Sequence, residues 1–135
     1  MPDVLFEKRP DGVALITLNR PESLNAMGGN LMPLLAEHLA ECSADDSVRC
    51  VVLTGEGRAF CAGGDVKAMA AGQDGGGRRR SPAADFAQRV QGLRESQKRT
   101  SYVLHTMPKP TIAMVNGPAV GARFSLALAC DLRIA

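Results

Sequence analysis

Two glycine-rich segments of the chain could present backbone N–H groups to a ligand. The first runs from Ala62 to Asp65 and the second from Gly117 to Ala122, and each follows an apolar run with the character of a strand. The start of a helix carries unsatisfied N–H donors and a partial positive charge. Two such donors that converge on one point form an oxyanion hole. The alternative is that the glycines serve tight turns and close helix packing, with Asp65 as a helix cap.

The sequence argues against several other kinds of site. It contains no P-loop, no G-x-G-x-x-G fingerprint and no G-x-S-x-G nucleophile elbow. Ser125 lies in a predicted helix, and neither His38 nor His105 is placed by the sequence to activate it as a nucleophile. A packing role is expected for His38, which lies near an apolar stripe. The four cysteines show no C-x-x-C spacing, which argues against a zinc site or a disulfide framework and favours reduced thiols.

Length, composition and charge indicate one globular domain. The 135 residues fall within the usual size of a domain, and 45% of them are hydrophobic. The 16 basic and 14 acidic residues leave a net charge of +2, and basic residues interleaved with aromatic ones are missing, so no nucleic-acid partner is expected. No apolar stretch reaches the roughly 18 residues of a membrane span, and the N-terminus lacks the regions of a signal peptide. These features predict a cytoplasmic protein without a membrane partner.

Hydrophobic periodicity predicts alternating strands and helices, the pattern of an α/β fold. The predicted strands are Val13–Leu18, a run that includes Val48 and Val51–Leu53, Thr111–Val115, and a last strand from Asp131. The predicted helices run from Leu31 to near Cys42 with Asn30 as N-cap, from Ala83 toward Met107, and, fully buried, from Gly121 to Cys130. The glycine- and arginine-rich residues 70–82 are expected to form a flexible loop.

Three segments together resemble the N-terminal half of the crotonase family, which comprises the enoyl-CoA hydratases and isomerases. They are ITLNRPESLNAM (Ile16–Met27), VVLTGEGRAFCAGGDVKAM (Val51–Met69) and KPTIAMVNGPAVGARFSLALACDLRIA (Lys109–Ala135). The resemblance covers nearly the whole chain apart from the glycine-arginine loop and the helix after it. It implies a spiral of ββα units that binds acyl-CoA thioesters, with two backbone N–H groups holding the thioester carbonyl while an enolate forms. Coenzyme A enters as part of the substrate, and no separate cofactor or metal is implied.

The resemblance assigns the oxyanion donors to two peptide groups. The first is the N–H of Gly64, and the second is the N–H of Ala122, in the middle of a segment that is usually a triple glycine. Because the donor is backbone, alanine can serve there if its φ permits a Cβ. Arg123 is the larger departure, since a guanidinium at a position that is usually glycine could crowd the helix or project into the acyl pocket.

The resemblance also assigns residues that would contact coenzyme A. The stretch that lines the pantetheine is matched by Gly64, Asp65, Val66 and Lys67, beside Ala62 of the same motif. The region near the adenine is matched by Arg20 and Ala26.

The acid and base of the implied reaction are missing from the chain. Ser125 replaces the first of the two glutamates that hydratases of this family use, and a hydroxyl cannot substitute for a carboxylate in proton transfer at neutral pH. The second glutamate, or the single aspartate of isomerases, would lie beyond Ala135. We therefore expect isomerase-like rather than hydratase chemistry. The alternatives are a non-catalytic acyl-CoA-binding or partner-binding protein, and a structural subunit completed by a second polypeptide.

The resemblance finally bears on domain organisation and assembly. Chains of this family run to about 250 residues, and the segment from Ser125 onward is still strongly apolar. Residues 1–135 are therefore expected to be an incomplete domain that stops before the C-terminal helical region. Family members form trimers and hexamers, so the intact protein is expected to be a homo-oligomer, or else to be completed by a second chain.

Overall fold

The structure, a computed structural model, describes residues 1–63, 82–121 and 124–135. These residues form one mixed sheet and the helices that pack on it. The strands are β1 (Val4–Lys8), β2 (Val13–Leu18), β3 (Cys50–Gly55), β4 (Thr111–Met114) and β5 (Leu132–Ile134). The α-helices are α1 (Leu31–Ala44), α2 (Pro82–Arg99), α3 (Ser101–Thr106) and α4 (Phe124–Ala129), and a short 3-10 helix spans Pro21–Ser23.

The order of the strands in the sheet follows the chain, from β1 at one edge to β5 at the other. β1 and β2 are antiparallel, whereas β2, β3, β4 and β5 pair in parallel. Parallel neighbours need a crossover connection, and α1 lies in the one between β2 and β3. Because parallel strands point the same way, the loops that follow β2, β3 and β4 start at one end of the sheet, where open α/β sheets commonly bind ligands.

The core lies between the sheet and α1. This helix buries Leu31, Leu35, Leu39 and Cys42 completely, at the spacing of one helical face. The side chains of β2 alternate between buried and half-buried, so one face of the strand meets the helices. Each fully buried leucine contributes roughly 1.5–3 kcal/mol relative to an exposed one, so this face fixes the position of α1 on the sheet.

Several predicted elements are confirmed. β2 has the predicted bounds, α1 begins at Leu31 as expected, and Pro33 lies in its first turn. Asn30 occupies the N-cap position as predicted, but its side chain makes no capping hydrogen bond. Instead the Asn30 N–H donates to Asp3 Oδ2 at 2.8 Å, which ties the start of the helix to the N-terminal segment. His38 has the expected packing role, since its ring stacks on Phe6 with centroids 4.5 Å apart.

Two predicted helices differ from the observed ones. The helix expected from Ala83 to Met107 is divided at Thr100, whose backbone leaves the helical region (φ −120°, ψ −83°). The Thr100 hydroxyl donates to the Ser96 carbonyl at 2.7 Å, a local bond that competes with helix continuation. The helix expected to be fully buried is described from Phe124 to Ala129, and there only Leu126 and Ala127 are buried, whereas Phe124 and Leu128 are exposed.

The strands also depart from the predictions. β1 was not predicted, because its burial falls off along the strand and leaves no clear alternation. β4 ends at Met114, one residue before the predicted end at Val115, and Met114 is 43% exposed. Residues 70–81 of the expected loop lie outside the described residues, and Pro82 is the first residue of α2 rather than part of a loop. Among the described residues, no helix combines the length and the apolar character that a membrane crossing needs.

Candidate functional site

The described parts of the two loops that lead into the glycine-rich segments lie side by side at the end of the sheet where β3 and β4 finish. Cys61 and Ala119 form an isolated parallel bridge. The Cys61 N–H donates to the Pro118 carbonyl at 3.2 Å, and the Val120 N–H donates to the Cys61 carbonyl at 3.1 Å. The tertiary structure therefore brings together the two stretches that lead to the predicted donors.

These stretches are described as far as Gly63 and Gly121, and both glycines adopt positive φ. The angle is +88° at Gly63 and +65° at Gly121, a region that residues with a Cβ rarely occupy. A Cβ built on Gly121 would lie 4.0 Å from the Cα of Gly63, an ordinary van der Waals distance, so space alone does not require glycine there. Glycine at these positions permits the left-handed backbone of the two turns.

Gly117 has a packing role, which was the alternative interpretation of the glycine-rich sequence. A Cβ on Gly117 would lie 2.1 Å from the Arg58 carbonyl oxygen, far inside any allowed contact. The turn after β4 thus rests directly on the turn after β3. This role does not compete with a ligand role for the same segment, because it uses the space beside Gly117 and not the N–H groups further along.

A third segment, residues 20–27, completes the group of neighbouring loops. The Ala62 N–H donates to the Leu24 carbonyl at 2.9 Å, and the Met27 N–H donates to the Gly63 carbonyl at 3.1 Å. Ala26, a predicted coenzyme A contact, is 6% exposed at this junction. The loop after β2 is thereby attached to the loop after β3.

Arg20 points into the protein rather than into open solvent. Its Nη1 donates to the Ala26 carbonyl at 2.9 Å, and its Nε lies 3.9 Å from Asp3 Oδ2. The side chain is 16% exposed, so its charge is partly shielded from water. The structure therefore places the two residues predicted near the adenine in direct contact, with the Arg20 guanidinium closing the loop that contains Ala26.

Two asparagines missed by the sequence reasoning, the buried Asn25 and the exposed Asn116, hold the turn between Gly55 and Ala59. Asn25 is fully buried, and its Nδ2 donates to the Glu56 carbonyl at 3.0 Å and to the Ala59 carbonyl at 2.8 Å. Asn116 approaches the same turn from the loop after β4: its Oδ1 accepts from the Gly55 N–H at 3.2 Å and its Nδ2 donates to the Gly57 carbonyl at 2.8 Å.

A sequence signal for both asparagines exists. Asn116 stands in an Asn-Gly pair directly after a strand, and Asn25 stands inside the first of the three segments that carry the resemblance. Asparagine tolerates left-handed backbone and can bind backbone groups through both ends of its amide. The pattern could have been found by asking which side chains satisfy the peptide groups of loops that have no ladder partners.

Hydrogen bonding by backbone groups is the chemistry that this region can offer. Among residues 1–63, 82–121 and 124–135, no three His, Cys, Asp or Glu side chains lie close enough to hold a metal ion. Cys61 is buried and its Sγ donates to the Asn25 carbonyl at 2.6 Å. Burial raises the pKa of Cys130, at the end of α4, to about 11, which favours the unreactive thiol. These thiols therefore serve packing better than nucleophilic attack.

The structure describes only part of the predicted site. Three of the predicted site residues come together, as described above: Arg20, Ala26 and Ala62. Ser125 is half-buried in the first turn of α4. The remaining predicted site residues lie outside the described residues; they are Gly64, Asp65, Val66, Lys67, Ala122 and Arg123.

Comparison with known proteins adds an independent line of evidence. The family model described as enoyl-CoA hydratase/isomerase matches residues 8–135. The 1,2-epoxyphenylacetyl-CoA isomerase of Escherichia coli is 41% identical over 124 residues, which cover 92% of this chain and 44% of that protein. The crystal structure of an enoyl-CoA hydratase/isomerase from Xanthobacter autotrophicus Py2 aligns with a TM-score of 0.81 and 33% identity over 98% of this chain and 45% of that one.

A second solved structure, a monofunctional enoyl-CoA isomerase from M. smegmatis, aligns with a TM-score of 0.70 and 36% identity, covering 97% of this chain and 48% of that one. The chain spans less than half the length of the curated relatives it matches. It covers 46% and 42% of the length of two further relatives. The similarity therefore extends along the whole of this chain but reaches only part of each relative.

Proposed function

The chain belongs to the enoyl-CoA hydratase/isomerase family, and we propose that it binds an acyl-CoA thioester and stabilises the enolate of that thioester with two backbone N–H groups. The donors are the N–H of Gly64 and the N–H of Ala122. The chemistry is isomerase-like, in that a proton is moved within an unsaturated acyl-CoA rather than water being added. Coenzyme A takes part as a portion of the substrate.

The observation that carries this proposal is the pairing of the two loops through Cys61 and Ala119. Gly64 and Ala122 each follow the last described residue of one paired loop by one position, after Gly63 and Gly121. Two chain segments that are hydrogen-bonded to one another just before these positions can deliver two N–H groups to one carbonyl oxygen. Such donors stabilise the charge that develops on the oxygen more than they stabilise the neutral thioester, which is the requirement for catalysis.

Proton transfer sets the limit of the proposed activity. Enolate formation needs a base near the carbon next to the carbonyl, and a carboxylate or histidine of suitable pKa normally fills that role. Ser125 occupies the position where the resemblance places a glutamate, and a hydroxyl does not accept a proton at neutral pH. A carboxylate from outside these residues would complete the reaction.

A second candidate function is non-catalytic binding of acyl-CoA, and Ser125 is the observation that favours it. Oxyanion donors without a base bind a thioester but do not turn it over. The two candidates differ in one measurable property: exchange of the proton next to the thioester carbonyl with deuterium from solvent, followed by NMR on butyryl-CoA. Exchange faster than in a protein-free control supports the catalytic candidate, and its absence supports binding alone.

Calorimetry with matched ligands tests the proposed site. Butyryl-CoA and the thioether S-butyl-CoA differ only in the carbonyl, so the ratio of their dissociation constants isolates the interaction with the oxygen. Two hydrogen bonds to that oxygen, each worth roughly 0.5–1.5 kcal/mol, predict an affinity for the thioester at least about fivefold higher. Equal affinities would remove the oxyanion hole from the proposal. Absence of heat with acetyl-CoA and crotonyl-CoA as well would remove the binding site altogether.

A further inference from the structure

We propose that Asn25 is a positioning residue of the acyl-CoA site. Asn25 holds the loop after β2 so that the Met27 N–H donates to the Gly63 carbonyl and fixes the direction of that carbonyl. This proposal rests on the proposed function, because it assigns to Asn25 the orientation of the first oxyanion donor. Asn25 does not itself contact substrate in this proposal. It acts through the loops after β2 and β3 and through the peptide group that joins Gly63 to Gly64.

The backbone around Asn25 explains why an asparagine stands there. Leu24 and Asn25 both adopt left-handed backbone, with φ of 53° and 57°. That conformation costs free energy for residues with a Cβ, and asparagine tolerates it better than most. Two consecutive left-handed residues need compensation from other contacts, since such strain persists only where the surroundings determine it.

The Asn25 side chain supplies that compensation. Its Oδ1 accepts from the Arg20 N–H at 2.8 Å, which closes the loop on itself. Its Nδ2 donates both hydrogens to the turn after β3, to the carbonyls of Glu56 and Ala59. Because Asn25 is fully buried, loss of these bonds would leave polar groups without partners in the interior, a costly state that keeps the arrangement in place.

The contacts that follow carry the constraint to the glycine-rich segment. The Asn25 carbonyl accepts from Cys61 Sγ at 2.6 Å, and the Leu24 carbonyl accepts from the Ala62 N–H at 2.9 Å. The Met27 N–H then donates to the Gly63 carbonyl at 3.1 Å. Residues 24–27 and 61–63 are thus joined at three consecutive points, each on the loop that Asn25 holds.

The last of these bonds bears on the proposed donor. A trans peptide group is planar, so the direction of its carbonyl sets the direction of its N–H. The Gly63 carbonyl shares its peptide group with the N–H of Gly64, which the proposed function assigns as the first donor. Donation by Met27 to that carbonyl would aim the N–H and also strengthen it as a donor, because hydrogen-bonded peptide groups polarise one another.

The test substitutes Asn25 and measures discrimination rather than overall binding. Glycine accepts a φ of 57° without strain, so Asn25→Gly removes the side-chain bonds and leaves the backbone conformation available. The readout is the ratio of the dissociation constants of S-butyl-CoA and butyryl-CoA. We expect Asn25→Gly to lower this ratio about three- to tenfold, which is the range for one weakened hydrogen bond. The dissociation constant of the thioether should change less than that of the thioester.

A control variant separates positioning from general loss of stability. Lys109 Nζ donates to the carbonyls of Cys42 and Asp45 at 2.6 Å each, so Lys109→Met also removes hydrogen bonds to half-buried backbone. Lys109 lies just before β4, at the opposite end of that strand from the candidate site. We expect Lys109→Met to lower the unfolding midpoint while leaving the ratio unchanged.

The outcomes distinguish this proposal from the proposed function. If the unsubstituted chain shows no preference for the thioester, both are overturned. If that chain prefers the thioester and Asn25→Gly retains the full preference, only the positioning role is overturned. The near-isosteric Asn25→Asp, which keeps an acceptor for the Arg20 N–H but loses both donors, repeats the test if Asn25→Gly does not fold. The carbonyl stretch of bound butyryl-CoA gives a second readout, and it should move toward the free-ligand frequency in either variant.

Discussion

Substitution of Gly117 by alanine should destabilise the protein and separate the two loops of the candidate site. The added Cβ would lie 2.1 Å from the Arg58 carbonyl oxygen and 3.1 Å from the Ala59 Cα. Roughly 1.4 Å of backbone movement is needed to reach an ordinary contact distance. Both sides of the clash are backbone, which cannot turn aside as a flexible side chain can. Overpacking of this kind costs about 3 kcal/mol, which corresponds to a fall in Tm of roughly 10 °C for a domain of this size.

Gly92 offers a matched control for this prediction. It lies exposed within α2, and a Cβ built there meets no atom within 4 Å. Gly92→Ala should therefore stabilise the protein by about 0.5–1 kcal/mol, because alanine is the better helix former. The two Tm values, measured by circular dichroism at one heating rate, should move in opposite directions relative to the unsubstituted chain.

The result for Gly117→Ala can contradict the reasoning in two ways. A Tm within 2 °C or so of the unsubstituted chain would mean that the turn after β4 does not rest on the turn after β3 as the structure shows. A large fall in Tm without a loss of affinity for butyryl-CoA would mean that the contact between the two loops is unrelated to ligand binding. The Pro118 carbonyl, which accepts from the Cys61 N–H, connects the two effects.

Three further predictions concern charge, thiols and the acyl pocket. Hydrogen bonds from Lys8 hold the pKa of Asp45 well below its usual range, so this carboxylate stabilises the folded state above its unfolded pKa of about 3.9 and loses that contribution as the pH falls below that value. The difference in urea midpoint between the unsubstituted chain and Asp45→Asn should therefore shrink from pH 7 to pH 3. A constant difference would refute this prediction. Cys50 is half-buried, while the thiols of Cys42, Cys61 and Cys130 are buried. A thiol-specific reagent at pH 8 should therefore modify Cys50 first and the other three only at the rate at which the protein opens locally. Equal rates of modification at all four cysteines would contradict this burial. Arg123→Gly should change the affinity for butyryl-CoA if the guanidinium projects into the acyl pocket, and an unaltered dissociation constant would remove that hypothesis.

The sequence was sufficient for the α/β class and for the family, and the comparison with known proteins confirms both. The reason is that these conclusions depend on local patterns. The branched run Val13–Leu18, the helical spacing from Leu31 and the motif residues all lie within short stretches of chain. Local pattern failed at β1, although its partner β2 follows closely along the chain, because burial falls off along β1 and leaves no alternation to recognise.

The candidate site divides in the same way. The sequence alone identified both glycine-rich segments, since glycine between a strand and a helix is visible in the residue order. It could not show that Cys61 pairs with Ala119, because that contact depends on parallel strands ending at one end of the sheet. Nor could it show that Asn25 binds the turn more than 30 residues further on, at Glu56 and Ala59, because a buried amide finds its partners only after the core has closed. The sequence thus set the residue types of the two glycine-rich segments, and the packing of the loops around the sheet decided that the described residues leading to them, Cys61 and Ala119, lie together.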